Sequence, residues 1–163
     1  MARPPRLPGF DYVGVHAYFL TISTFNRVPW FAVGECADAC RQQLVRTSSD
    51  YGFDVIAYCF MPDHMHALVE AERDDADFRR FVSMFKQRSA HDHLGVHAGR
   101  LWQANYFERT LREGDDCEAV AAYILANPLR AGLCDRFGDY PYLGSSRYTI
   151  DQLHEAVQMR WRP

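Results

Sequence analysis

Two runs of strand-forming residues stand either side of Met61-Pro62-Asp63: FDVIAYCF from Phe53 to Phe60, and HMHALVEA from His64. β-branched and aromatic residues on both sides of a Pro-Asp turn read as an antiparallel hairpin. Side chains alternate between the two faces of a strand, so His64 and His66 leave the second strand on the same side. Two imidazoles on one strand face make a candidate metal site. Such a pair is also an ordinary half-buried or surface feature of many strands.

The rest of the chain arranges itself around this hairpin. VHAYFLTISTF alternates as a first strand from His16 to Phe25, and Val33, Cys36, Ala37, Cys40, Leu44 and Val45 recur at helical spacing as a first helix. After the acidic run Asp74 to Asp77, the residues Phe78, Phe81, Val82 and Phe85 predict a second helix, carboxylates at its positive end, reaching about His91. His91, His93 and His97 are expected in the loop that follows, too irregularly spaced for a metal cluster. LWQANYFERTL alternates from Leu101 to Leu111 as a fourth strand, and Gly114-Asp115-Asp116 precedes a helix carrying Val120, Tyr123 and Ile124. The order β-α-β-β-α-β plus a further helix is the split βαβ arrangement. It predicts an α+β, ferredoxin-like fold: a four-stranded antiparallel sheet, helices on one face, and a C-terminal tyrosine-bearing helix. One domain over 1–163 is expected, with an extended basic arm at 1–10 and a turn-rich tail over 138–163 that ends in a short closing helix from Ile150 to Trp161.

Composition narrows the alternatives. Apolar residues at 48% and charged residues at 24% suit a soluble globular domain, with aromatics high at 14%. No apolar run approaches the roughly 20 residues a membrane span needs, and the amino terminus lacks an apolar signal core, so the cytoplasm is the expected compartment. Five cysteines without a CxxC pair argue against a disulfide framework and a zinc ribbon. Cys36 and Cys40, one turn apart, are read as packing residues rather than metal ligands. A net charge of −3 means that any phosphate-binding surface must be local.

In AAYILANPLRAGL the Tyr123 hydroxyl and the Asn127 amide are one helical turn apart and face together. A tyrosine there is ordinarily a core aromatic. Asn127 before Pro128 is also a common helix start, and Gly132 a common helix end. A phenol beside a cation held by imidazoles, however, can attack a phosphodiester and conserve the bond energy in a phosphotyrosine link. No nucleotide triphosphate is then needed, in keeping with the absence of a GxxxxGK[ST] loop.

The segments Met61 to His66, Leu101-Trp102-Gln103 with Tyr106, Phe107 and Arg109, Tyr123 to Leu133, and Tyr140-Pro141 with Ser145-Ser146 together resemble the REP-associated tyrosine transposases. These form a branch of the HUH single-strand transposases, named for a His, a hydrophobic residue and a His. The resemblance implies a ferredoxin-like fold and a divalent ion, Mg²⁺ or Mn²⁺, on His64, His66 and Asn127. It implies Tyr123 as the nucleophile, joined to the 5′ side of a cut in single-stranded DNA. The implied partner is a DNA hairpin of the REP-palindrome kind with a single-stranded flank, met by a monomer rather than a dimer. For that role Arg3, Arg6, Arg79, Arg80, Lys86, Arg88, Arg109, Arg112 and Arg130 are candidate phosphate contacts. Trp102 and Tyr106 are candidates to stack bases. Two other readings stand beside this one: a non-catalytic ferredoxin-like module gripping single-stranded nucleic acid, and a metallohydrolase using the histidine pair with a water nucleophile.

Overall fold

The structure, a computed structural model, describes residues 9–160. The expected arm falls almost wholly outside these residues, and Arg3, Arg6 and Trp161 lie outside them. The elements are β1 (Ala17–Ser23), α1 (Gly34–Asp50), β2 (Phe53–Met61), β3 (His64–Ala71), α2 (Phe78–Val96), β4 (Phe107–Thr110), α3 (Cys117–Leu125), α4 (Asn127–Arg130), β5 (Leu143–Gly144) and α5 (Ile150–Arg160). All strand pairs are antiparallel, in the order β4-β1-β3-β2-β5. The fold is the expected ferredoxin-like one, extended by a fifth strand that the tail adds beside β2.

Strand parity divides the molecule into two layers. Tyr18, Leu20 and Ile22 of β1 point to a first face, where they meet Met65, Ala67 and Val69 of β3 and the apolar sides of α1 and α2. Asp77 caps α2 by accepting from the backbone N–H of Arg80 at 3.0 Å, and Phe78, Phe81, Val82 and Phe85 behind it are fully buried. Each such side chain contributes roughly 1.5–3 kcal/mol. The second face carries Leu68, Ile56, Ala57, Cys59 and Met61 against α3 and α5. A bulge between Val55 and Ala57 of β2 puts Ile56 and Ala57 on this same side. Because β2 is buried on both faces, its sequence reads as an almost unbroken apolar run.

Two elements depart from expectation. Helix α2 continues to Val96, so His91 and His93 are helical rather than in a loop. The reason is docking: the His93 ring, 4% exposed, packs edge-on against Trp30 at 4.5 Å, with Nδ1 3.6 Å from Cys36 Sγ on α1. Strand β4 is four residues long and does not span Leu101 to Leu111. Trp102 makes only an isolated bridge to Thr24, and the Lys86 ammonium donates to the carbonyls of Gln103 and Ala104 at 2.7 and 2.9 Å, holding that stretch against α2 instead.

Candidate active site

His64 and His66 sit where β3 leaves its hairpin, on the second face, with ring centroids 4.8 Å apart. The turn before them is pinned from β1 and its exit. Asp63 O accepts from the Thr24 backbone N–H at 3.0 Å and from the Thr24 hydroxyl at 2.9 Å, and Pro62 O accepts from the Phe31 N–H at 3.0 Å. That anchoring aims the Asp63 carboxylate at its neighbour: Oδ1 lies 2.6 Å from His64 Nδ1, while Oδ2 faces Arg27 Nε at 3.5 Å. A carboxylate only accepts, so His64 Nδ1 donates to Asp63 and Nε2 is the ring nitrogen left facing away from it. In the paired strand, Thr21 stands opposite His66 and brings Oγ1 to 2.8 Å from its Nδ1. Both imidazoles therefore have Nδ1 engaged, the outer-shell pattern of metal-ligating histidines. Burial, with the His64 and Arg27 charges, pulls the His66 pKa down to about 4, leaving the ring neutral as a ligand must be.

Tyr123 comes to this face on α3, whose start Asp116 caps by accepting from the Ala119 N–H at 3.0 Å. It is 44% exposed. Phe19 of β1 joins it to the histidines: the Phe19 ring stacks on His66 at 5.7 Å and meets Tyr123 edge-on at 6.4 Å. Arg130 of α4 lies over the Tyr123 ring at 4.8 Å. The helix breaks at Ala126 and restarts as α4, but Asn127 does not cap that restart. Its Nδ2 turns back to donate to the carbonyls of Tyr123 and Ile124 at 2.9 and 3.3 Å, which leaves the amide oxygen as its candidate ligand atom. Gly132, at φ 67°, does end α4, its N–H bonded to Leu129 O and that of Leu133 to Pro128 O.

The candidates for DNA contact are divided by the sheet. Arg79, Arg80, Lys86 and Arg88 all belong to α2, which covers the face opposite the histidines. Arg79 and Arg80 lie over the rings of Tyr12 and Tyr51, and Arg88 pairs with Asp50 at 2.6 Å. Trp102 is 3% exposed, with Nε1 donating to Ser89 Oγ at 2.9 Å, and Tyr106 packs against the same core. Neither flanks the histidines, because the segment before β4 is held against α2 and both rings pack into that layer. Arg109 is on the histidine side, paired with Asp115 at 2.8 Å; Arg112 follows in the exposed turn whose backbone Asp115 holds. Sequence reasoning gave no role to Phe19, Thr21, Arg27 or Asp63. Only Asp63 announces itself, by standing next to His64. Cys36 and Cys40 are buried, and among the described residues no three His, Cys, Asp or Glu side chains form a metal-holding group.

A ferredoxin-like sheet with an imidazole pair on the face that a tyrosine-bearing helix covers defines the class: an α+β domain with its polar chemistry gathered on one side of the sheet. The chain belongs to the IS200-like transposase family, whose profile matches residues 13–127. It is similar to the REP-associated tyrosine transposase of Escherichia coli K12, 23% identical over 131 residues that cover 80% of this chain and 77% of that one. A Haemophilus influenzae protein named for the same group is 22% identical over 143 residues, covering 81% of each chain. Among solved structures, a REP-associated tyrosine transposase bound to a REP hairpin has the same fold, with a TM-score of 0.74 at 24% identity, over 93% of this chain and 90% of that one. Among the described residues no helix is long and apolar enough to cross a membrane.

Proposed function

We propose that this transposase-family chain is a divalent-metal-dependent single-stranded DNA endonuclease and strand transferase. In this reading it acts on hairpin-forming DNA through a covalent link between Tyr123 and the 5′ phosphate at the cut. The observation that carries the reading is the pair of Nδ1 contacts: Asp63 and Thr21 occupy one nitrogen of each ring. Both Nε2 atoms are thereby left for a cation, within two ring contacts of a half-exposed tyrosine. The relative bound to a REP hairpin supports DNA of that kind as the substrate.

In this reading His64, His66 and the Asn127 amide oxygen would hold Mg²⁺ or Mn²⁺ and leave open positions for phosphate and water. When bound, such an ion withdraws charge from a non-bridging phosphate oxygen and holds phosphorus for in-line attack. Tyr123 supplies the nucleophile. Its Oη forms a bond to phosphorus as the bond from phosphorus to the 3′ oxygen breaks; the phenol loses its proton, and the departing 3′ oxygen takes one up to end as a hydroxyl. Arg130, already over the ring, sets a cation beside the phosphodiester. The phosphotyrosine keeps the bond energy, so a 3′ hydroxyl reverses the step without a triphosphate.

Incubating the chain with a radiolabelled hairpin oligonucleotide and Mn²⁺ should give an adduct that survives denaturation and is lost in Tyr123→Phe. An adduct persisting in Tyr123→Phe would remove Tyr123 from this role, and cleavage without any adduct would favour a water nucleophile. Binding that needs neither metal nor His64, with no cleavage, would favour a non-catalytic module.

A further inference from the structure

One row of paired residues crosses the second face of the sheet: Phe107 on β4, Thr21 on β1 and His66 on β3. Neighbouring strands lie roughly 4.8 Å apart, so Phe107 stands about 10 Å from His66 along that row. The Phe107 ring meets Phe19 edge-on at 6.0 Å and 71°, and Phe19 in turn stacks on His66. Both phenylalanines are only half-buried, and β4 is the edge strand on that side of the sheet. Beside them stands one arginine, paired with Asp115 at 2.8 Å. Arg109 is the next residue of β4 on the same face, its side chain 55% exposed. The acidic residue between them, Glu108, points to the opposite layer, where its Oε1 accepts from the Tyr12 hydroxyl at 3.3 Å.

We infer that Phe107 is the platform on which a base of the bound single strand stacks, beside the phosphate held at the histidines, with Phe19 as the wall behind it. This rests on the reading of His64 and His66 as the place where the scissile phosphate sits, and it names the ligand of the adjoining subsite as a nucleobase. An aromatic ring with an open side suits that ligand because every base has a π face, and an arginine alongside meets its phosphate. The same inference explains how the strand is gripped although Trp102 and Tyr106, the aromatic neighbours in sequence, face the core.

The test uses Tyr123→Phe protein, so that DNA stays intact, and hairpin oligonucleotides with 2-aminopurine at one position of the single-stranded flank at a time. Binding should quench the fluorescence at one or two flank positions. Adding Phe107→Leu should restore fluorescence at those positions and weaken binding about fivefold to a hundredfold, whereas Phe107→Tyr should keep both. Quenching unchanged in Phe107→Leu at an unchanged melting temperature, or no quenched position, would overturn the inference. Should Phe107→Leu melt early, photocrosslinking of a 5-iodouracil flank to the otherwise intact protein decides. A crosslink in the Phe19 or Phe107 peptide supports the platform, and crosslinks only elsewhere overturn it. Cleavage is needed in none of these measurements, so a chain that never forms the tyrosine adduct can still pass, and one that forms it can still fail.

Discussion

A threonine hydroxyl at position 21 decides which nitrogen His66 has left to offer. With Oγ1 2.8 Å from Nδ1, the ring presents Nε2 to the open side of the sheet. Thr21→Val keeps the shape and removes the partner. It should weaken Mn²⁺ binding about 10- to 100-fold, the usual effect of losing an outer-shell contact, as followed by the electron paramagnetic resonance of free Mn²⁺. Equal Mn²⁺ affinity in both proteins would show that the contact is incidental. That His64 and His66 share a face was legible in the sequence because a period of two is a local property of one strand. Thr21 was not, because its place opposite His66 follows from the register between strands distant in the chain. The same gap explains Trp102 and Tyr106. Nothing local tells that the segment carrying them is drawn onto α2 and away from the histidines.

At the scale of elements, α2 is held to the segment before β4 by the Lys86 ammonium together with the Trp102–Ser89 hydrogen bond. Lys86 is the only lysine in the chain, and it donates to two backbone carbonyls. Burial, helped by the nearby Arg100 charge, lowers its pKa to about 8. Between pH 8 and the ordinary lysine value of about 10.4, the unfolded chain holds a proton that the folded chain has released. This group therefore makes the fold more stable as pH rises through that window and has no pH effect below it. Urea midpoints of wild type and Lys86→Met should diverge in favour of wild type from pH 8 to 10; parallel curves would contradict the burial. Helix positions were legible from periodicity and from Asp77 before Phe78. The end of α2 was not, because what sustains its last turns is His93 packed on Trp30 and Cys36, a contact with another helix. Strand β4 was overestimated for a related reason: alternation persists through residues 101–106, yet Lys86 takes up carbonyls there.

For the whole molecule, the sheet separates two tasks. One face is filled with aromatic and aliphatic packing against α1 and α2; the other carries the histidines, Tyr123 and the Phe19 and Phe107 rings. A net charge of −3 is compatible with a polyanionic partner only if cations gather locally, and Arg109 and Arg130 are on the histidine side. The tail belongs to the fold as much as the four expected strands do. The Tyr140 hydroxyl donates to Phe60 O at 2.7 Å, the Phe60 N–H to Tyr142 O at 2.8 Å, and Leu143, Leu153 and Val157 are buried. At roughly 1.5–3 kcal/mol for each buried side chain, deleting residues 138–163 should remove much of the ~5–15 kcal/mol a domain possesses. Thermal denaturation would register this as a large fall in the melting temperature. A shortened chain that melts like the full one would show that the tail is dispensable. Beyond that loss, the two residues of β5 cover the outer rim of β2 so tightly that a methyl added at Gly144 would meet the Tyr58 hydroxyl at 2.7 Å. Stripped of that cover, the edge of β2 would present unpaired amides and carbonyls beside apolar side chains as a template for other copies, and the shortened protein should aggregate before it misfolds in any subtler way.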